Sequence, residues 1–515
     1  MRKITFLLLL TVSMASAQNF SWLQSPSVDN NVNNGGTSYP VTTDAFGNSY
    51  LAGFKDMPYL YSELLGRIQY NKYNSSGELQ YSKSISGRVL VNDIKTDSNG
   101  NLIMIAGFNQ SIGFDNFVLL SASQGMKYIL IKFDPQGNLL WHVLLDPDDT
   151  TYINDMNALA LDTDDNIYVG YGDFMDTWIT KYSPEGNSLF TIEQQNVNMV
   201  TSLSIDNAGN IYAAGSCADQ FAKYAQVAAP TPFNYNTYIV KYSPSGTYQW
   251  VRYVDDITCS TPQVRAFSPD AVYFSSYLYG NYNFDSITTE GPNQNMEDFF
   301  LAKLNTNGTF QWVREVLGTG RISIGHRNFL DLDATGNIYF TGSTSGSIDW
   351  GNGFATNTIG FSNRNSLILK YDPQGQVQFA KTVENTGHDT FDGVSVNNNG
   401  DIFVSGLIGF GTANFDNLQL TVPQYDYYPV LAKITTVLST PEIKNETIKL
   451  YPNPSSDYIS ISGIQHVNGT IFNSIGQKMM DITTNNNSPI AIAQLAKGAY
   501  IIRLDGHTPM KFIKS

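Results

Sequence analysis

Lysine, then glycine five residues on, then an aromatic nine residues on, recurs along this chain without a slip. The copies are Lys72–Gly77–Tyr81, Lys132–Gly137–Trp141, Lys181–Gly186–Phe190, Lys241–Gly246–Trp250, Lys303–Gly308–Trp312 and Lys370–Gly375–Phe379. Lys433 opens a further copy that never reaches its glycine. The missing aromatic half stands at the other end of the chain, as Phe20-Ser21-Trp22. A second motif precedes each lysine: alternating apolar positions, Asp-x-x-Gly-Asn, then an apolar run. It occurs at Asp44–Gly47–Tyr50, Asp97–Gly100–Ile103, Asp162–Asp165–Tyr168, Asp206–Gly209–Tyr212, Asp333–Gly336–Tyr339 and Asn397–Gly400–Phe403, with a worn copy from Phe267 to Tyr273.

Both motifs carry the same kind of turn. In Asp134-Pro135-Gln136-Gly137 the first side chain caps the turn, proline presets φ and glycine takes the left-handed conformation. Flanked by strands, such a turn makes a tight hairpin. Each repeat therefore reads as four strands: a and b around the Asp turn, c and d around the lysine turn. Four-stranded units repeated in this way read as propeller blades, whose faces only their neighbours can bury. Composition agrees, with 15% charged residues beside 42 Gly, 31 Tyr and 29 Phe, a mixture of turn formers and strand formers. The split copy predicts that Phe20–Trp22 supplies the outer strand of the last blade, beside Lys433, which removes two free sheet edges. The expected architecture is all-β: a seven-bladed β-propeller over 18–434 closed by the N-terminal strand, a linker over 435–446, and a small C-terminal β-sandwich over 447–515.

In such a blade the a–b and c–d turns share one face of the ring, and the b–c and d–a connections share the other. The a–b and c–d turns here are short and uniform, whereas the b–c path is short from Gly172 to Lys181 and long from Gly342 to Lys370. Length variation on one face either marks it as the face for recognition or records where insertions do no harm. Several b–c stretches place an aromatic beside Asp: Phe114-Asp115, Phe284-Asp285, Asp349-Trp350 and Phe415-Asp416. This recurrence suggests an added short hairpin packed on the blade. Asp115, Asp285, Asp349 and Asp416 are the binding candidates, and a ring of carboxylates is also the chemistry that Ca²⁺ selects. The repeated lysines are expected to lay their stems along the blade, with heads reaching solvent or an Asp. Cys217 and Cys259 both fall toward the variable face of the fourth blade, so a disulfide between them is open.

Residues 1–17 read as a secretory signal peptide: Arg2 and Lys3, the apolar run Ile4 to Val12, and the small-residue site Ala15-Ser16-Ala17. No other apolar run approaches bilayer length, so no transmembrane segment is expected. The net charge of −15 argues against nucleic acid and anionic membranes as partners.

After Pro441 the pattern changes to alternating runs such as YISISG and YIIRLDG, with turns expected at Asn468-Gly469 and Gly476. The carrying residues are Leu450-Tyr451-Pro452-Asn453-Pro454, the segment ending in Gly476-Gln477, Leu495 to Tyr500 with Gly498, and Lys511-Phe512-Ile513-Lys514. On these the tail resembles the C-terminal sorting domain of the type IX secretion system. The resemblance implies export through that machinery, with clipping in the linker and release or attachment at the cell surface. The remainder resembles secreted bacterial β-propeller repeats of the Asp-x-x-Gly-Asn-x-Tyr kind.

The sequence carries little catalytic chemistry. His142, His326 and His388 are isolated, and no paired histidine, Cys–His metal spacing or G-x-S-x-G elbow occurs. Asp162 to Asn166 mimics a calcium loop but lacks its sixth-position glycine and closing glutamate. The expected function is a secreted or cell-surface binding or adhesion module that meets glycan or protein with its long-loop face. It is expected to be monomeric and without a cofactor, Ca²⁺ being the one ion the carboxylates suggest. The rival is a propeller-based glycan hydrolase or lyase using acidic residues near the central channel.

Overall fold

The computed structural model describes residues 17–26, 39–56, 65–114, 117–120, 125–145, 153–231, 236–254, 261–278, 280–290, 298–316, 320–358, 364–437, 449–463, 467–474, 476–485, 487–504 and 509–515. The signal-peptide reading over 1–17 falls almost wholly outside them, as do Asp115, Cys259 and all but the start of the linker. The described residues form strands and turns, with no helix. Gln18–Val437 make one compact region, and the C-terminal strands belong to another.

Within the larger region each sequence repeat becomes an antiparallel four-strand unit. The fourth unit is typical, with Met199–Ile205, Ile211–Cys217, Asn236–Tyr242 and Tyr248–Val254 paired in chain order as a, b, c and d. The first and second units merge into one eight-stranded sheet because a single long strand, Leu79–Thr96, serves as d of one and a of the next. In the sixth unit strand a is broken into Arg321–Ile324 and Leu330–Leu332. The last unit contains Thr390–Val396, Ile402–Phe415 and Leu418–Val437, and its fourth strand is Ala17–Gln24, lying alongside Leu418–Val437.

The apolar core lies between units. One cluster joins Tyr212, Ile239 and Trp250 of the fourth unit to Val264, Phe274 and Phe300 of the fifth. Another joins Phe20 and Ile434 of the last unit to Tyr339 and Ile368 of the sixth. The first-unit cluster, with Tyr50 and Ile68, takes in Trp22, Phe403 and Leu431 of the last. Strands covered on both faces need continuous apolar runs rather than alternation. Tyr128 to Phe133 is such a run and is buried throughout.

The two motifs build the joints. In the Asp turn, Asp206 Oδ1 accepts the backbone N–H groups of Ala208 and Asn210, both at 2.9 Å. Its Oδ2 accepts Asn210 Nδ2 at 2.8 Å and the Tyr212 hydroxyl at 3.0 Å. The repeat lysine crosses that tyrosine ring, with Lys241 Nζ 5.4 Å from the Tyr212 centroid. Its head then reaches the c–d turn of the next unit. Lys132 Nζ and Trp141 Nε1 both donate to the Pro184 carbonyl, at 3.0 and 3.2 Å. Lys303 and Trp312 converge likewise on Pro373 at 3.2 and 3.4 Å, and Lys433 and Trp22 on Ser75, both at 3.2 Å. The last pair ties the last unit to the first by the bond that ties each other such pair. Lys132 and Lys181 also ion-pair Asp97 and Asp162 at 2.9 and 3.0 Å. The last unit exchanges the turn residues, placing Asn397 first and Asp401 fifth, and Lys433 pairs with Asp401 at 2.9 Å.

The turn glycine is needed twice over at this joint. Gly308 has φ +76°, and a Cβ there would lie 2.7 Å from the Trp250 ring of the preceding unit. Gly77 is the same beneath Trp22, with φ +83° and 2.7 Å. Gly400, in an a–b turn, shares the positive φ at +80° but has nothing within 4 Å. Alanine at Gly400 should therefore cost only the left-handed strain, about 1 kcal/mol. Alanine at Gly308 must also displace a buried indole, for about 2–4 kcal/mol in all. Urea midpoints of the two variants check this, and equal shifts would remove the indole contact as a source of stability.

Candidate functional site

Among the described aromatic-Asp pairs, the carboxylates of Asp285 and Asp416 belong to the scaffold. Asp285 sits at the tip of a small hairpin, Asn283–Phe284 with Ile287–Thr288, at φ +55°. Its Oδ2 accepts the Phe310 N–H at 3.0 Å, while Phe284 packs edge-on against the Phe310 ring at 5.1 Å. Asp416, at φ +56°, repeats this on the N-terminal strand: Oδ2 accepts the Phe20 N–H at 2.8 Å, and Phe415 meets the Phe20 ring edge-on at 5.0 Å. Its Oδ1 pairs with Lys381 at 2.6 Å. Phe310 begins strand d, just past the c–d turn. These hairpins thus fold back over the outer edge of their units and do not crown the variable face.

In the sixth unit the place of this aspartate falls to Asn352 and not to Asp349. Asn352 has φ +53° and donates from Nδ2 to the Val377 carbonyl at 3.1 Å, at the start of strand d. Asp349 only caps the Gly351 N–H at 2.9 Å, so the Asp349-Trp350 pair imitates the motif out of register. Asp285, Asp349 and Asp416 therefore lie on three separate hairpins. Among the described residues no group of three His, Cys, Asp or Glu is placed to hold a metal. The Cys217 thiol is free, buried, and donates to the Asn196 carbonyl at 3.4 Å. His142 packs on Phe117, 5.0 Å between centroids, and burial lowers its pKa.

What does converge are the first halves of the a strands. Strand a carries a bulge at the same place in several units, between Val91 and Asp93, Met156 and Ala158, Val200 and Ser202, and Phe391 and Gly393. An extra residue there re-aims its neighbours. The sixth unit goes further, with Gly325 to Phe329 intervening between the two pieces of its a strand. The extra residues of three of these bulges, Asn92, Asn157 and Thr201, line a cavity of about 280 Å³ together with Gln263, His326, Arg327 and Asn328 among others. Five repeat units contribute to it. The bonds span far positions in the chain: Arg327 Nη1 donates to the Val91 and Asn92 carbonyls at 3.4 and 3.3 Å, and Asn328 Nδ2 to Asp93 Oδ1 at 2.5 Å. Arg265 donates to Asn328 Oδ1 at 3.1 Å and lies 3.8 Å from Asp331.

Burial pushes the Asp93 and Asp392 carboxyls up and the Arg265 guanidinium down, as desolvation disfavours any charge. Opposite charges close by offset this, so the floor is a neutralised network. Asp93 is the carboxylate lining the cavity and is held by Asn328 and the Ile94 N–H. The arrangement offers polar recognition: Asn92 Oδ1 and Gln263 Oε1 are buried without a hydrogen-bond partner. Sequence reasoning missed these residues because they share no motif. Asp93 and Lys95, charges inside a core strand, were the available signal.

The cavity lies at the ends of the a strands reached from the d–a connections, hence on the variable face. A second polar cleft of about 360 Å³ opens on the same face between the sixth and last units, with Asn365, Asn385 and Thr412 among its walls. Three carboxyls buried at strand ends on this face are pushed up by desolvation, Asp155 to about 6 and Asp298 and Asp389 to about 7.

In the C-terminal region one sheet of Lys449–Tyr451, Tyr458–Ser462 and Pro489–Ala491 and another of Lys478–Thr484, Val467–Asn473, Gly498–Leu504 and Met510–Lys514 share the core of Ile459, Ile471, Ile502 and Phe512. The expected turn at Asn468-Gly469 is instead inside a strand. A Cβ on Gly469 would lie 2.6 Å from the Arg503 carbonyl, so glycine serves close strand approach there. Gly476 does close a turn, its N–H bonded to Asn473 O at 3.0 Å. Between Pro452 and Pro454, Asn453 clips onto the final strand, donating to Lys511 O at 3.1 Å and accepting the Ile513 N–H at 2.8 Å. Tyr451 bonds Asn487 at 2.6 Å, Tyr500 stacks on Phe512 at 5.5 Å, and Gly498 pairs with Lys514. The two ends of the motif set thus meet.

Residues 449–514 match the family described as the secretion system C-terminal sorting domain, which supports type IX secretion sorting of this chain. An uncharacterized WD repeat-containing protein of Acanthamoeba polyphaga mimivirus is 22% identical, over 64% of this chain and 31% of its own length. The chain therefore spans about a third of that curated relative. Among solved structures the chain is similar to a protein of unknown function from Bacteroides caccae (10% identity, TM-score 0.32, covering 57% of this chain and 93% of that one). It is also similar to Porphyromonas gingivalis dipeptidyl peptidase 4 (10%, 0.32, 92% and 64%) and to a puromycin hydrolase mutant (10%, 0.39, 89% and 62%).

The raised carboxyls make stability depend on pH. An Asp in the unfolded chain titrates near 3.9. Between about pH 4 and 7 the folded protein therefore holds more protons than the unfolded chain, so stability falls as pH rises through that window and levels off above it. Asp389→Asn keeps the Oδ1 that accepts Asn385 Nδ2 and the Gly409 N–H, both bonds at 2.8–3.0 Å. It should match the wild type near pH 4 and exceed it at pH 8. Urea unfolding at the two pH values checks this, and an unchanged slope would mean that Asp389 is ionised in the fold at neutral pH.

Proposed function

We propose that this chain is an exported binding protein. Its repeat units form a seven-bladed propeller closed by the N-terminal strand, and type IX secretion carries it out through the C-terminal sorting domain. It then acts, released or attached at the cell surface, as a monomer that recognises extracellular glycan or protein with its long-loop face.

The carrying observation is the difference between the faces. The turn face is taken up by recurring joints, in which a lysine and often a tryptophan of one unit bond a turn carbonyl of the next. Both polar cavities open on the other face. Export is supported by the match over 449–514. The hydrolase reading has less support, because Asp93 is bound to Asn328 and a backbone N–H and is the one acid among the described residues that line the five-unit cavity.

In a type IX-competent bacterium, deletion of 449–514 should abolish appearance of the protein outside the cell. The full chain should appear there with its N-terminus at Gln18, read by mass spectrometry. The mature chain, arrayed against glycans and surface proteins, should bind without turning over its ligand. Hydrolysis of a polysaccharide or peptide, lost on changing one acidic residue, would replace this reading with the enzymatic one.

A further inference from the structure

The cleft between the sixth and last units has a uniform chemistry. Asn357 and Thr358 end the hairpin Ser347–Gly351 with Phe354–Asn357, Asn365 begins the next strand, and residues 384–386 form the connection between the units. Thr412 and Asn414, on the last unit's long second strand, complete it. Every lining side chain among the described residues is an amide or a hydroxyl except the Glu384 carboxylate. Among them no cation stands ready to hold an anion, and no apolar side chain to anchor a hydrophobic group.

The walls are built in place. The Asn414 N–H donates to the Glu384 carbonyl at 3.1 Å. Asn385 donates from Nδ2 to Asp389 Oδ1 and the Gly409 carbonyl, both at 3.0 Å. Gly411 has φ +120°, and a Cβ on it would lie 2.4 Å from both Asn385 Oδ1 and Thr386 Oγ1. Glycine there lets the connection seat against the strand. Two lining residues are left with unmet capacity: Thr358 is 8% exposed and Asn365 4%, and Thr358 Oγ1 and Asn365 Oδ1 have no hydrogen-bond partner. Buried polar atoms are rarely left so without a ligand or water to complete them.

We propose that this cleft is a subsite for a neutral, hydroxyl-rich carbohydrate residue. The assignment rests on the loop-face binding reading and names its ligand class and place. Sugar hydroxyls both donate and accept, as amides and side-chain hydroxyls do. Glu384 accepts from a pair of neighbouring hydroxyls, a charge-assisted contact stronger than the others. The volume of about 360 Å³ lies in the range of small-ligand clefts.

Calorimetric titration of the mature chain with neutral gluco-, manno- and xylo-oligosaccharides, an oligouronate and an extended peptide tests it. One neutral oligosaccharide should bind, with affinity falling about tenfold in Glu384→Gln and in Asn357→Ala, equivalent to ~1.4 kcal/mol each. Gln136→Ala, at an exposed c–d turn on the opposite face, should leave that affinity unchanged, while Gln263→Ala probes the five-unit cavity. Binding lost only in Gln263→Ala overturns the cleft assignment while leaving loop-face binding intact, and preference for the oligouronate or the peptide does the same. No binding to any of these probes overturns the assignment. Binding that survives both cleft variants and Gln263→Ala overturns the loop-face reading with it.

Discussion

A turn glycine lying under the neighbouring unit's aromatic ring is the contact on which the larger region depends. The glycine brings the turn backbone against the ring, and the turn carbonyl is then within reach of the lysine and the tryptophan that precede it. Lysine is held over the tyrosine or phenylalanine of its own unit and beside the turn Asp, so its charge is neutralised where its stem is buried. No unit has a core of its own, and each apolar cluster joins consecutive units. Stability in such an array is a sum of joints. The bond from Lys433 and Trp22 to Ser75 supplies the joint that an open array would lack.

The exception among the joints is informative. The last unit has no c–d turn, because its third and fourth strands come from distant parts of the chain. Phe379 of the sixth unit therefore has no turn glycine to cover. Lys381 instead bonds the Gln18 carbonyl and Asp416, and Asp416 holds the Phe20 N–H. The aromatic-Asp element that looked like a ligand site is the clasp that holds an outer strand, used once on Phe310 and once on the N-terminal strand.

Joints of this strictness leave the opposite strand ends free to vary. There the chain buries charge at a cost, around Arg265, Arg327, Asp93 and Asp392, and accepts carboxyls that hold protons near neutral pH. Four buried polar atoms without partners, Asn92 Oδ1, Gln263 Oε1, Thr358 Oγ1 and Asn365 Oδ1, belong to residues that line the two cavities of that face.

From the residues alone one could read the four-strand repeat, the turns, the strand supplied from the N-terminus and the sorting tail. Each rests on short-range chemistry: a glycine at the one position that needs positive φ, a capping Asp four residues before its Asn, an aromatic at fixed distance. The roles of Asp285, Asp416 and Asn352 were not legible, because a hairpin's direction depends on the edge it packs against. The five-unit cavity was less so, since Arg327 and Val91 meet across 236 positions and share no motif. The chain's local spacing decided what repeats. Only packing units side by side decided which polar side chains face one another, because that depends on bulges and strand breaks whose aim is set by neighbours far away in sequence.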